Sequence, residues 1–383
     1  MKVLHLLKTA IGASWALRQT TELIKLGVEV HIVLPKGPMV DKYQQAGVIV
    51  YQFDPSLAIS KPWLNITRAK KLRALVKQIK PDIIHSHFVA TTLLMRFALV
   101  GIDIPRIFHV PGPLHLEHWL FRHLDIYSAG KNDHWLASCL WTEKKYQQLG
   151  IKHERIGLAY YGVNEQDFQF TSSAANTLKT ELAIDNEDFL IGMVAYFYAP
   201  KRYLGQKRGL KGHEDLIDAL AIVRHRYPRV KCIFVGGPWG NTEHYFQSVK
   251  HYAQQKLGNT CIFLGTRNDV AELYPQFDLA VHPSHSENVG GAVESMYAKV
   301  PTLTTKVGGF TDLVTDGETG YLAQAKNPQS LAEKIIEAIE NPGNRQAMVE
   351  NAYQKVQQVM NVKDNAKQVL AFYQQILAGR GKQ

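Results

Sequence analysis

Short apolar runs alternate with amphipathic stretches through the first half of the chain. The pattern predicts a buried strand at 3–7, a helix over 14–26, strands at 28–34 and 48–53 with a helix at 40–46 between them, and a basic helix from about Trp63 to just before Pro81. Strands follow at 83–85, 106–110 and 135–138. Helices are expected near 90–99 and 142–149, with a partly helical stretch reaching about Lys131. Strands alternating with helices imply a parallel sheet covered on both faces.

The alternation lapses at Thr171-Ser172-Ser173-Ala174-Ala175-Asn176, a small polar stretch that reads as an interdomain linker. It then restarts, with strands at 189–195, 231–236, 261–264, 279–282 and 302–305. Helices are expected at 213–226, 243–255, 270–274 and 291–298, and the tail from Asn327 to Gly379 reads as three helical pieces. Two α/β domains of similar size therefore follow one another, which suits a length of 383 residues.

Composition narrows the class. With 45% apolar and 20% charged residues the chain has material for two packed cores, which excludes disorder, collagen and coiled coil. Cys139, Cys232 and Cys261 are far apart, so neither a disulfide framework nor a local cysteine zinc site is expected, and a reducing cytoplasm is the natural home. No run of about 18 apolar residues is present. The opening MKVLHLLKTAIG reads as a strand rather than a signal peptide, because no small-residue cleavage site precedes Arg18-Gln19-Thr20-Thr21.

A formal charge of +10 favours anionic partners without naming them. From Lys61 to Lys80 seven basic residues and no acidic one fall on a helical pattern. That face is either a solvated helix surface or a patch for anionic lipid.

The segment HPSHSENVGGAVESM, residues 282–296, carries the most chemistry: a strand enters a loop with Gly290 and Gly291, and a helix opens with Glu294 in its first turn. Backbone N–H groups there suit a diphosphate or sugar hydroxyl, and Glu287 and Glu294 could accept hydrogen bonds from a polyol. Read without that chemistry, Glu294 is an acid stabilising the helix dipole and Glu287 a solvated loop residue. A second glycine turn, Lys306-Val307-Gly308-Gly309, follows the next strand, which implies one crevice at the carboxyl edge of the sheet. Lys201, Arg202, Lys207, Arg208 and Lys211 punctuate a long loop and are the cations available to clamp a pyrophosphate, unless that loop is merely solvated.

HPSHSENVGGAVESM followed by VPTLTTKVGGFTDLVTDGETGYL resembles the signature of the retaining GT-B-fold glycosyltransferases, the large bacterial family four or group 1, of polysaccharide-biosynthesis type. PDIIHSH at 81–87, YGVN at 161–164, LKGHEDLI at 210–217 and LGTR at 264–267 add to the likeness, so it covers most of the chain. The resemblance implies an α/β fold with two Rossmann-like α/β/α domains facing a central cleft. Residues 1–170 would bind the acceptor, 171–361 the nucleotide sugar, and 362–383 would form a terminal helix packing on the first domain.

It also implies residue roles. Glu287 would contact the donor sugar, Asn288, Val289, Gly290 and Gly291 would present the loop and its N–H groups to sugar and phosphate, and Glu294 would bind the ribose. The glutamates stand seven positions apart, one fewer than the family's usual spacing. Lys211 would clamp the diphosphate. Tyr196 falls near the family's arginine, so Arg208 is the substitute cation. Gly265 to Arg267 would hold the base, and Gly12 would lie against the phosphates. His109 resembles the family histidine facing the donor sugar, with His115 and Glu117 as neighbouring acceptor contacts. Catalytic roles then fall to His109, Glu287 and Lys211.

The expected activity is transfer of a hexose-type sugar, with retention, from a nucleotide sugar, by family frequency a UDP-sugar, to a hydroxyl acceptor. A lipid-linked or oligosaccharide acceptor of bacterial surface polysaccharide is favoured, with no metal or other cofactor, no nucleic-acid partner, and a place on the inner membrane face. The rivals are a GT-B nucleotide-sugar epimerase and a basic nucleic-acid-binding protein. A nicotinamide oxidoreductase is disfavoured because Lys8-Thr9-Ala10-Ile11-Gly12 replaces G-x-G-x-x-G after the first strand.

Overall fold

The computed structural model describes residues 1–110, 112–168 and 177–380. They divide into two compact units, Met1–Asn164 with Met360–Gln383, and Glu165–Val359. The expected linker at 171–176 lies outside the described residues.

In the first unit the order is β1 (Lys2–Leu6), α1 (Ser14–Lys25), β2 (Glu29–Leu34), α2 (Met39–Gln45), β3 (Ile49–Gln52), α3 (Leu64–Ile79), β4 (Ile83–Ser86), α4 (Val89–Ala98), β5 (Arg106–His109), α5 (Leu114–Glu117), α6 (Trp119–Tyr127), β6 (Asp133–Ala137), α7 (Leu140–Gln148) and β7 (Ile156–Leu158). The strands form one sheet in the order β3-β2-β1-β4-β5-β6-β7, with parallel pairing throughout. The basic helix α3 buries Ala69, Leu72, Leu75, Val76 and Ile79 against this sheet. It ends at Lys80 in the left-handed region (φ 52°), just before Pro81 stops any continuation.

The second unit runs α8 (Thr177–Glu181), β8 (Phe189–Val194), α9 (His213–Arg226), β9 (Val230–Val235), α10 (Glu243–Leu257), β10 (Cys261–Gly265), α11 (Val270–Leu273), β11 (Leu279–His282), α12 (Ala292–Tyr297), β12 (Thr302–Thr305), α13 (Phe310–Leu313), β13 (Tyr321–Ala323), α14 (Pro328–Glu340) and α15 (Arg345–Met360). Its parallel sheet has the order β10-β9-β8-β11-β12-β13. Helix α14 starts cleanly because Asn327 accepts a hydrogen bond from the Ser330 N–H (3.1 Å) and Pro328 occupies the first turn. Its buried face, Leu331, Ala332, Ile335 and Ala338, shares a core with Leu216, Ile217, Leu220 and Val223 of α9.

The final helix α16 (Val362–Arg380) belongs to the first unit. Val369, Phe372, Tyr373 and Ile376 enter the core that contains Val3, Leu23, Ile83 and Ile107. Its start is stitched to the end of the first-unit sheet by Val163 N–H donating to Met360 O (2.8 Å) and Val362 N–H donating to Val163 O (3.2 Å).

Two strands, β7 and β13, were not predicted; at three residues each they are too short to show a period. Strand β6 also begins earlier than predicted. Its first residue, Asp133, is charged yet buried, because Arg96 (3.0 Å) and Arg106 (2.8 Å) pair with its two carboxylate oxygens.

Candidate functional site

In the second unit the strand order reverses between β8 and β11, and the loops leaving their carboxyl ends diverge to opposite faces. A crevice forms at such a point in any doubly wound sheet. Here it is a cavity of about 300 Å³ lined by Val194 at the end of β8, Ala195, Tyr196 and Tyr198 after it, Lys211 just before α9, Val235 and Gly236 at the end of β9, Thr266, Arg267 and Val270 after β10, and Gly291 and Glu294 at α12.

The loop after β11 is pressed against the loop before α9. His285 N–H donates to Leu210 O (2.8 Å), and the His285 ring donates from Nε2 to Asp215 on α9. Gly212 makes the approach possible: its φ is +76°, and a Cβ there would lie 2.0 Å from the Pro283 carbonyl oxygen. The contact brings Lys211 Nζ onto Glu287 Oε2 in a direct ion pair. Glu287 is fixed from its other oxygen by the Asn288 N–H (3.1 Å). Burial opposes the Lys211 charge, but the charge and hydrogen bond of Glu287 outweigh it and raise the ammonium pKa above its ordinary value. Lys211 is therefore a dependable cation at neutral pH. Gly290, at φ +37°, turns the chain so closely around this carboxylate that a Cβ would sit 2.8 Å from Glu287 Cδ.

Glu294, in the first turn of α12, accepts a hydrogen bond from the Tyr274 hydroxyl (3.2 Å). Tyr274 is fully buried, and burial together with the Glu294 charge pushes its phenol pKa well up, so it stays a donor. Under the loop, His282 bonds Ser295 Oγ through Nε2 (3.1 Å), and burial pushes its imidazole down to about 3.

The structure thus gathers Lys211, Glu287, Gly290, Gly291 and Glu294 at one place, with Asn288 and Val289 in the loop that joins them. Val289 is buried, and Asn288 Oδ1 is buried without a partner. Arg267 lines the cavity, but its guanidinium is tied to Asp269 (2.8 Å) and Glu181 (3.2 Å). Gly265 offers its carbonyl to Gly236 N–H (2.7 Å) and does not itself line the cavity.

Arg208 is placed differently from expectation. Its guanidinium pairs with Asp215 (2.5 Å) and Asp218 (2.6 Å) on α9, away from the cavity lining, because two carboxylates on one helix face hold a guanidinium more firmly than an open loop does. Lys201, Arg202 and Lys207 are exposed. Of the five loop cations Lys211 alone lines the cavity. Thr266 lines the cavity within the 265–267 stretch expected to hold the base, whereas Tyr198 and Tyr274 carry no local sequence signal and come from elements remote in the chain.

In the first unit, His109 ends β5, is buried, and donates from Nε2 to the Ala159 carbonyl (3.0 Å); burial pushes its imidazole down to about 3. His115 is not on a binding surface. It is buried between Tyr146 (3.1 Å) and Asp125 (3.4 Å), within a network that includes Arg96 and Trp135, so its ring serves the core rather than an acceptor. Glu117 and Gly12 are exposed.

Two parallel α/β units with a polar, cation-bearing cavity at the strand-order reversal of the second define a GT-B glycosyltransferase architecture. Comparison with known proteins agrees. A family model described as "Glycosyltransferase Family 4" matches residues 13–167, and one described as "Glycosyl transferases group 1" matches residues 202–355. The chain belongs to the group 1 glycosyltransferases. The capsular polysaccharide biosynthesis glycosyltransferase CapM of Staphylococcus aureus is 24% identical over 375 residues, covering 93% of this chain and 92% of CapM. In fold, the chain is similar to Anabaena HepE solved in complex with UDP (TM-score 0.79, 24% identity, 97% of this chain and 99% of HepE) and with UDP-glucose (TM-score 0.77, 22% identity, all of both chains).

Proposed function

We propose that the protein transfers a hexose-type sugar from a nucleotide diphosphate sugar, UDP-linked, to a hydroxyl acceptor with retention at the anomeric carbon and without a metal ion. The observation that carries this reading is the cavity of the second unit, lined by the Lys211 ammonium, the Glu294 carboxylate and Gly291, with Glu287 paired to Lys211 at the glycine turn beside it. A diphosphate competes with Glu287 for Lys211, and Lys211 then neutralises the charge that develops as the nucleotide departs. Glu294, oriented by Tyr274, accepts the ribose hydroxyls, and Glu287, released from Lys211, takes a donor-sugar hydroxyl. The HepE complexes with UDP and UDP-glucose support the choice of nucleotide, and CapM supports a role in bacterial surface polysaccharide.

The acceptor we favour is a lipid-linked saccharide, handled by the first unit, on the inner face of the cell membrane. Helix α3 exposes Lys70, Lys71 and Lys77, while Trp63 and Ile66 at its start and Trp119, Leu120, Leu124 and Tyr127 of α6 are exposed apolar or aromatic side chains. No helix among the described residues is long and apolar enough to cross a membrane. Flotation should show salt-sensitive binding to anionic vesicles and none to neutral ones. Equal recovery with both would remove the membrane and leave a soluble acceptor.

The deciding experiment is calorimetric titration of UDP, GDP and ADP, with chelator present, into the wild type and Glu294→Ala. UDP should bind selectively, and at least about tenfold more weakly to the variant, equivalent to about 1.4 kcal/mol. Failure of all three nucleotides to bind would remove the transferase donor site as drawn. Consumption of a UDP-sugar in the absence of any acceptor would favour the epimerase.

A further inference from the structure

Three adjacent strands of the first unit deliver four imidazoles to one buried place. His5 on β1 and His85 on β4 are register partners, His87 follows two residues later, and His109 ends β5. All four are fully buried. The ring of His85 lies 4.7 Å from that of His5, 4.3 Å from that of His87 and 5.2 Å from that of His109.

The hydrogen bonds assign the protons. Tyr161 donates its hydroxyl to the His109 carbonyl (3.2 Å), so its oxygen accepts from His87 Nδ1–H (3.1 Å). His87 Nε2 is then the bare nitrogen and accepts from His5 Nδ1–H (2.9 Å). His5 Nε2 is left as a lone pair with no partner. His109 donates from Nε2 to Ala159, which leaves its Nδ1 bare and also unpartnered. His85 meets the Tyr373 hydroxyl through Nδ1, and its Nε2 has no partner either. A buried polar atom left unpaired is destabilising, and here three lie in one cluster.

A metal ion would displace the single proton that His5 Nδ1 and His87 Nε2 share, freeing a lone pair on each beside the unpartnered nitrogen of His85. One ring nitrogen from each of His5, His85 and His87 lies within 4.8 Å of the others, and a tetrahedral zinc spaces its nitrogens about 3.3 Å apart, so modest ring rotations close the set. The far nitrogen of His87 is held by the Tyr161 hydroxyl and that of His85 by the Tyr373 hydroxyl, the kind of contact that fixes tautomer and orientation in a metal-binding histidine. The four rings supply no carboxylate, which disfavours Mg²⁺ and Ca²⁺, whereas three neutral imidazoles with an open fourth position suit late first-row ions.

We propose that His5, His85 and His87 form a binding site for a late first-row transition ion, with Zn²⁺ as the reference ion and His109 as the fourth neighbouring imidazole. The site ties β1 to β4 and is independent of the donor reading, which concerns the second unit alone.

The test uses the full chain, stripped with chelator and titrated with Co²⁺ and then Zn²⁺. About one equivalent should bind, with the visible bands of tetrahedral cobalt, bleached by Zn²⁺, and Zn²⁺ should raise the melting temperature by roughly 3–8 °C. His5→Gln and His85→Gln should each weaken binding at least about tenfold. The exposed pair His244→Gln with His251→Gln should leave it unchanged. No binding to the wild type overturns the proposal and leaves ordered water as the occupant; binding that survives both buried substitutions overturns it in favour of surface histidines. Should the buried variants fail to fold, X-ray absorption of the wild-type zinc complex decides: three imidazoles at about 2.0 Å support the site, and oxygen ligands alone overturn it.

Discussion

The place where strand order reverses is furnished in opposite ways in the two units. In the second, between β8 and β11, glycine turns leave an open cavity, and the polar groups around it are ions in pairs: Lys211 with Glu287, Asp215 with Arg208 and His285. In the first, between β1 and β4, the same topological position is filled by rings. Trp15 and Tyr161 pack at 4.4 Å, Tyr373 meets His85, and four imidazoles lie among them. Parallel pairing creates the crevice in both units, and side-chain volume and charge decide whether it becomes a wet ionic pocket or a closed aromatic cluster.

If that contrast is correct, substitutions in the second unit should act on nucleotide sugar, and those in the first on stability or acceptor. The largest effect is expected from Lys211→Met, which removes the cavity's ammonium and strands Glu287. kcat/KM should fall roughly 100-fold to 1,000-fold with little change in circular dichroism. A loss below about tenfold would show that the diphosphate is held elsewhere.

Gly290→Ala comes next. Its Cβ collides with Glu287 at a positive φ, so the loop must shift, at a cost of roughly 1–3 kcal/mol. Donor KM should rise about tenfold or more while acceptor KM stays level, which steady-state kinetics with each substrate varied would resolve.

His115→Ala sharpens the other side of the comparison. It leaves the buried Asp125 and Tyr146 short of a partner, so urea denaturation should show a loss of about 1–3 kcal/mol, with both KM values unchanged. A raised acceptor KM without destabilisation would return His115 to the acceptor site.

The smallest effect concerns pH. His282 has its imidazole pushed down to about 3 by burial, well under the ordinary 6.5. Its contribution to stability is therefore complete above about pH 6.5 and is lost as pH falls from there towards 3, because the unfolded chain takes up the proton first. At about pH 5 the loss is at most about 2 kcal/mol. Comparing urea midpoints at neutral and acid pH, His282→Gln should show a correspondingly smaller fall than the wild type.

Most of the architecture was readable because burial on both faces writes parallel strands as apolar runs. β11 and β12 and the helix α9 begin and end where the pattern places them. The site was readable where its residues are neighbours in the chain: Glu287, the glycine turn and Glu294 share one loop and one helical turn. It was not readable where partners are remote. Tyr274 and Tyr198 carry no local mark of their role, and Arg208 and Lys211, three positions apart in one basic loop, look alike in sequence.

The amino-acid sequence by itself determined two α/β units, their parallel sheets and the loop that carries the glutamates, because periodicity and glycine placement act over a few residues. The tertiary structure alone decided which charges meet. Only packing of α9 against the loop after β11 sends Arg208 to Asp215 and Asp218 and Lys211 to Glu287, and only the register of β1, β4 and β5 draws four separate histidines into one cluster. Such encounters depend on distances set by the whole sheet, which no local stretch of sequence encodes.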